Sequence, residues 1–401
     1  MAKATMGTRT EIVRMQREVY AKAKKKEKGK ILDHVCASTG LSRDRAKRLL
    51  NVKTSKPVKK LKPGRKPKYD ASFVAVLEKV WVYMDFACGR RLAAGMDDML
   101  EALITCGELK VSQEMITKLK EVSASTADRL LAKAKKGLMI KGKSTTKPGT
   151  LIKKDIPVRM GNEWDDAVPG FVEIDLVAHC GETTAGDYVN TLTVTDICSG
   201  WTETAAVLNK AQVHVFAALK SIGLRQPFAY KGIDSDNGSE FINHHLYNWC
   251  KENKICFTRT RPYKKNDNCH VEQKNWHVVR RNIGYNRYEG QDAANVMNEY
   301  YVLLGLHTNF FLPHTKLIEK VRVGTRMKKK YDAPKTPYRR LLESDHISPE
   351  TKALLQQTFY SLNPAALKQD MTHALERLIA FRVNTRNTKD SAVDTVENLI
   401  H

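Results

Sequence analysis

The chain has 401 residues, 42% of them hydrophobic, enough for more than one core, and length alone divides it into two to four domains. A net charge of +24 and a pI near 9.6 select a polyanionic partner, and no apolar run approaches the ~18–20 residues of a membrane-spanning helix. With no secretory signal and eight cysteines that form no Cys-x-x-Cys, the expectation is a reduced, cytoplasmic, nucleoid-associated bacterial protein.

The charge is concentrated at the N-terminus, where residues 1–70 hold 22 Lys+Arg against 6 Asp+Glu, a net +16. Residues 9–28 have helical propensity, and the run from Lys22 to Lys28 is broken only by Ala23 and Glu27. Ile31, Leu32, Val35 and Cys36 then share one helical face. Gly40 ends that helix, and Ser42 can cap the next, in which Ala46, Leu49 and Leu50 face inward. Helix, glycine turn and basic helix make the helix-turn-helix pattern, with Arg43, Arg45, Lys47 and Arg48 turned outward toward a major groove. An ordinary helical hairpin is the plainer alternative. Residues 1–55 are therefore expected to form a basic helix-turn-helix domain. Residues 56–69 read as a basic linker, whose Arg65 and Lys66 can enter a minor groove or serve only as spacer.

From 70 to 136 helical spacing returns, first in Val74, Leu77, Val80 and Trp81, then in Met96, Met99, Leu100 and Leu103, then in Met115, Ile116, Leu119 and Val122. Ala127-Asp128-Arg129-Leu130-Leu131 echoes Ala46-Lys47-Arg48-Leu49-Leu50, 81 residues earlier, and Ser123 matches Ser42. The segment reads as a second helix-turn-helix domain, with Thr126 and Arg129 as candidate DNA contacts. Residues 137–164, rich in Gly, Lys and Thr, read as a second linker.

Three consecutive strand patterns follow, at 171–178, 187–197 and 201–208. Then come a helix at 212–222, a strand at 228–236, a helix at 240–253, a strand at 255–261 and a helix at 272–283. Asp175 lies on the first strand. Asp236 ends the fourth, within Asp234-Ser235-Asp236-Asn237-Gly238-Ser239-Glu240-Phe241, and Glu272 opens the last helix, within Val271-Glu272-Gln273-Lys274-Asn275. Strand alternation puts Glu173 on the face of Asp175 and Asp234 on the face of Asp236, so each acid has a rival; Glu289 is the one nearby competitor of Glu272. Three converging carboxylates suit phosphodiester chemistry without a covalent intermediate. Charge develops on the attacking and leaving oxygens, and two hard cations about 3.5–4 Å apart stabilise both. Magnesium takes oxygen ligands and needs only one or two protein carboxylates.

The ordered acids, the Asp-Asn-Gly at a strand end and the 35 residues between Asp236 and Glu272 resemble the D,D(35)E core of retroviral integrases and DDE transposases. The resemblance covers roughly residues 165–290. It implies an α/β RNase H-like core there, a mixed five-stranded sheet with flanking helices, whose first and fourth strands are parallel neighbours that bring Asp175 and Asp236 together. It implies that Asp175, Asp236 and Glu272 are the catalytic acids and the ligands of two Mg²⁺ ions, with Mn²⁺ as substitute, and that Asn275 contacts DNA or the site edge. Before Glu272 this chain has a basic, Asn-rich loop in place of the family's Gly/Pro/Gln-rich one, and Lys264 and Lys265 are candidate phosphate contacts. The paired His/Cys ligands of a retroviral zinc domain are missing, so zinc is not expected.

The whole arrangement is similar to the large transposases of phage Mu and of insertion sequences that work with an ATPase. That likeness, with the alternating apolar and basic residues from Leu317 to Arg326, implies a helix plus a small basic β-barrel over 291–345 and a helical tail over 346–401. It implies double-stranded terminal repeats and target DNA as partners, a homo-oligomer in the synaptic complex, and an AAA+ ATPase contact on the tail. The function expected is a DNA transposase that nicks 3′ ends and transfers strands with Mg²⁺. The alternatives are a non-catalytic DNA-binding regulator and an RNase H-like structure-specific nuclease.

Overall fold

The computed structural model describes residues 6–52, 68–135, 167–236, 238, 240–260, 269–323 and 326–383. Both expected linkers lie largely or wholly outside these, as do Arg65, Lys66, Lys264 and Lys265. Two compact units divide the chain between Lys68 and Tyr69.

The first unit holds α1 (Met6–Lys22), α2 (Lys25–Thr39) and α3 (Arg43–Leu50). The helical stretch read over 9–28 is divided at Ala23–Lys24, where a new N-terminus forms as the Glu27 carboxylate accepts a hydrogen bond from Lys24 N at 2.9 Å. A carboxylate in the first turn also complements the helix dipole, which a lysine run inside one continuous helix would not do. Gly40 takes the left-handed conformation, φ 68°, and returns its N–H to Cys36 O, closing α2. Val13, Tyr20, Leu32, Val35, Ala46 and Leu50 form a private core. Ser42 occupies the cap position of α3 without bonding its amides. Arg43, Arg45, Lys47 and Arg48 are all exposed, and Arg43 is paired with Asp33.

The second unit is built on β1 (Phe171–Ala178), β2 (Asn190–Asp196), β3 (Thr202–Val207), β4 (Gly232–Ser235) and β5 (Cys256–Arg259), in the order β3-β2-β1-β4-β5. The first three strands pair antiparallel, and β4 and β5 join parallel, the mixed five-stranded sheet that the resemblance implied. Among the described residues of this unit, six helices come before it: α4 (Ala71–Tyr83), α5 (Gly89–Ala94), α6 (Met96–Thr105), α7 (Gln113–Glu121), α8 (Ala124–Leu130) and α9 (Ala132–Lys135). Two cover one sheet face, α10 (Gln212–Arg225) and α11 (His244–Glu252), packing Val215, Leu219 and Leu246 on Val172, Ile174 and Ile233. α11 begins later than the sequence pattern suggests because the Asn243 side chain caps it, accepting from Leu246 N at 2.9 Å.

Across the sheet lie α12 (Cys269–Lys274), a π-helical segment (Asn275–Arg280) and α13 (Arg281–Ile283), then the 22-residue α14 (Gly290–Phe311). After β6 (Leu317–Val323) and β7 (Arg326–Tyr331) come α15 (Pro337–Glu343), α16 (Pro349–Ser361) and α17 (Pro364–Ile379). Tyr300, Tyr301 and Leu304 of α14 and Leu378 of α17 share a core with Ala206 of the sheet.

Two expectations change here. The block at 70–136 is not a separate body, since Leu77, Trp81, Leu100 and Leu131 share one core with Phe310, Phe311, Tyr338 and Phe359. Aromatic rings bind that core together, Tyr338 stacked on Phe359 at 5.0 Å and Phe311 tilted on Phe359 at 5.7 Å. Helices of four to thirteen residues are too short to enclose a large core alone, so they borrow the end of α14 and the tail. The expected β-barrel is, among the described residues, one antiparallel hairpin of β6 and β7. Pro334 and Pro337 follow at once and cannot donate to a ladder, so the chain turns into α15. The cysteines with described side chains are all free thiols, and no described helix is long and apolar enough to cross a membrane.

Candidate active site

The register of β1 on β4 builds the site. Glu173 lies opposite Asp234 and Ile174 opposite Ser235, so Asp175 and Asp236 follow as the next pair on adjacent strands about 4.8 Å apart. Val172 and Ile174 point to the face covered by α10 and α11, which turns Glu173 and Asp175 to the other. Burial then separates the rivals. Glu173 is fully buried, and its Oε2 accepts from Val271 N at 3.1 Å, anchoring the first turn of α12. Asp234 is fully buried too and accepts from Thr258 Oγ1 at 2.5 Å. Asp175 is half-buried, one step further toward the open end of the strand pair.

Glu272 stands exposed on α12, whose start Glu173 holds. One turn on, Asn275 donates from Nδ2 to Asp175 Oδ2 at 2.7 Å, while Leu176 N donates to Asp175 Oδ1 at 2.8 Å. Desolvation pushes the Asp175 carboxyl above the usual carboxylate range, and the carboxylates of Asp236 and Glu272 add to the rise against the pull of the two hydrogen bonds. Asp236 Oδ1 accepts from Gly238 N at 2.8 Å. A Cβ on Gly238 would sit 2.7 Å from the Glu240 carboxyl and 2.9 Å from Asp236 Oδ1, so both acid side chains crowd this turn.

Asp175, whose proton affinity the carboxylates of Asp236 and Glu272 raise, shares with them an all-oxygen chemistry suited to a hard divalent cation. Among the described residues, no three His, Cys, Asp or Glu side chains are drawn together tightly enough to cage an ion unaided. Magnesium does not require that, because water and substrate phosphate complete its shell.

Of the other candidate residues, Thr126 is half-buried, and its Oγ1 accepts from Arg129 NH2 at 3.0 Å. Arg129 is exposed but also bonds Ser125 O of its own helix. The sequence reading missed a cationic group behind α12. Lys274, His277 and Arg281 are spaced three and four apart and so share a helical face, and Arg91 of α5 meets them. Burial and the neighbouring Arg91 and Arg340 push Lys274 down to about 7.

The integrase core domain family model matches residues 165–265. The uncharacterized protein y4rM of Sinorhizobium fredii is 36% identical over 343 residues, which span 84% of this chain and 96% of that protein. Among solved structures, the catalytic core domain of BIV integrase is 20% identical with a TM-score of 0.30, covering 44% of this chain and 96% of that one. The HTLV-2 integrase catalytic core in complex with magnesium is 16% identical with a TM-score of 0.24, covering 30% and 73%.

Proposed function

We propose that this chain, which belongs to the integrase-core family among the RNase H-like DDE transposases and integrases, is a DNA transposase that nicks the 3′ ends of a mobile DNA element with Mg²⁺ and transfers them to target DNA. The observation that carries this reading is the β1–β4 register, which sets Asp175 beside Asp236 on the face that receives α12 and Glu272. Asp175, Asp236 and Glu272 would hold the cations. When bound, the ions stabilise charge on the attacking and leaving oxygens of the phosphodiester. The protein's own share is positioning. Asn275 and Leu176 N fix both oxygens of the Asp175 carboxylate, so its orientation is set before substrate arrives. Glu173 pins the start of α12 and with it Glu272.

Binding of the terminal repeats falls to the N-terminal unit, where Arg45, Lys47 and Arg48 project from α3 as a recognition helix would present them. Two element ends must be joined to one target while each chain carries one acid triad, so the working form is a homo-oligomer. An AAA+ ATPase that selects the target remains part of the proposal through the helical tail.

The test is incubation of the full chain with a labelled duplex from the element end, a supercoiled target and Mg²⁺. A 3′ nick followed by a joined product supports the reading. Nicks without joining point to a structure-specific nuclease, and binding without nicks to a regulator.

A further inference from the structure

A cavity of about 120 Å³ lies behind the catalytic helix, walled by Lys274, His277 and Arg281, by Arg91 of α5, and by His307 and His314 at the end of α14 and just beyond. A single water needs about 10–15 Å³ of such space, so a group several waters in size fits. The wall is cationic. Arg91, Lys274 and Arg281 face one lining carboxylate, Asp85, which is already shared between Arg281 at 3.5 Å and Lys368 at 3.1 Å. The charged groups acting on Lys274 are themselves cations, Arg91 and Arg340. Burial, reinforced by Arg91 and Lys274, holds His277 down at about 4 and His314 well below its ordinary value, so both rings are neutral. Both ring nitrogens of His314 have no hydrogen-bond partner among the described residues, whereas His307 donates from Nε2 to Tyr83 O at 2.7 Å.

Gathering three cations around a partly enclosed space is unfavourable unless an anion completes it, because each loses hydration and repels the others. We propose that this cavity is a binding site for a phosphate-type oxyanion, supplied by a DNA strand or by free phosphate. Lys274 and Arg281 would donate charge-assisted hydrogen bonds to its oxygens, and neutral His277 and His314 would each donate from the ring nitrogen that carries the proton. The bound anion would tie α5 to the helix that carries Glu272. The site would bind phosphate whether or not the acid triad joins DNA.

The test uses the full chain. Inorganic phosphate is titrated calorimetrically in chloride buffer, and thermal unfolding is followed with and without it, for wild type and Lys274→Met. Wild type is expected to bind saturably and to unfold at a higher temperature with phosphate. Lys274→Met is expected to bind about tenfold more weakly or worse, the loss of one charge-assisted hydrogen bond. Without phosphate the variant should be as stable as wild type or more so, since a half-buried cation held among other cations is gone. Prior saturation with duplex DNA separates the sources: lost phosphate heat assigns the site to a strand phosphate, and retained heat to the free ion. No saturable heat in wild type, or equal affinity in Lys274→Met, overturns the proposal. Phosphate binding by a protein that never joins DNA would sink the transposase reading and leave this one standing.

Discussion

The two helical modules that share a serine and an Ala-x-Arg-Leu-Leu segment have different fates in the fold. In the first, Ala46 and Leu50 close a core belonging to three helices, and the cations of α3 face solvent. In the second, Ala127 and Leu131 sink into the large core shared with α14 and the tail. There Gly89 N bonds Asp128 at 2.8 Å, and a Cβ on Gly89 would lie 2.1 Å from Ala124 O, so α5 and α8 meet backbone to backbone. Arg129 bonds its own helix, and Lys135 pairs with Asp128 while lying 5.6 Å over the Trp81 ring. A repeated spacing sets which side chains turn inward. What covers the remaining face decides whether the helix can read DNA.

The sharpest separation of the two units comes from Asp236→Asn. It should reduce nicking and joining about 10³-fold or more, the scale of several kcal/mol of lost charge stabilisation, while DNA retention stays at the wild-type level. A parallel loss of binding in a gel-shift assay would show that recognition also lives in the core. Next in size is Asp85→Asn. Removing a half-buried carboxylate shared by Arg281 and Lys368 should destabilise the second unit by about 2–3 kcal/mol. Calorimetry should show that unit's transition moving alone, and a shift of both transitions would break the division. Burial by itself would raise the Asp85 carboxyl, but Lys368 and Arg281 outweigh it and hold the carboxyl below the usual carboxylate range. Its contribution is therefore present above about pH 3.9 and lost as pH falls toward the lower folded-state value.

Smaller effects compare the modules directly. Arg45→Ala or Arg48→Ala should cost about 1–3 kcal/mol of specific binding if the arginine reads a guanine, and Arg129→Ala within about 0.5 kcal/mol. An Arg129→Ala loss as large as the others, in fluorescence anisotropy on the terminal duplex, would restore the second module as a reader. Least of all, Lys47→Ala should lower the slope of log affinity against log salt by about 0.9 if Lys47 neutralises one phosphate.

The sheet was legible because alternation is a local property of each strand, and the spacing of the candidate acids because it is carried in the chain itself. The choice between Glu173 and Asp175 was not local. Both alternate to the same face, and what distinguishes them is Val271 N, 98 residues away, taken up by Glu173. The alternation from Leu317 to Tyr331 showed strands without showing how many would pair, and two did. The helices at 70–136 displayed apolar faces, but nothing in their spacing named Phe310 or Phe359 as the surface they would meet. The cavity behind α12 stayed hidden for the same reason, since Arg91 and Lys274 are 183 positions apart.

The central claim is that Asp175, Asp236 and Glu272 act together on a DNA phosphodiester. It is tested most directly by a strand-transfer assay on a terminal duplex and supercoiled target with Mg²⁺, run on wild type, Asp175→Asn, Asp236→Asn and Glu272→Gln. The account predicts joined product from wild type and none from the three variants, each still bound to the duplex. Joining at the wild-type rate by any one of the three would contradict it.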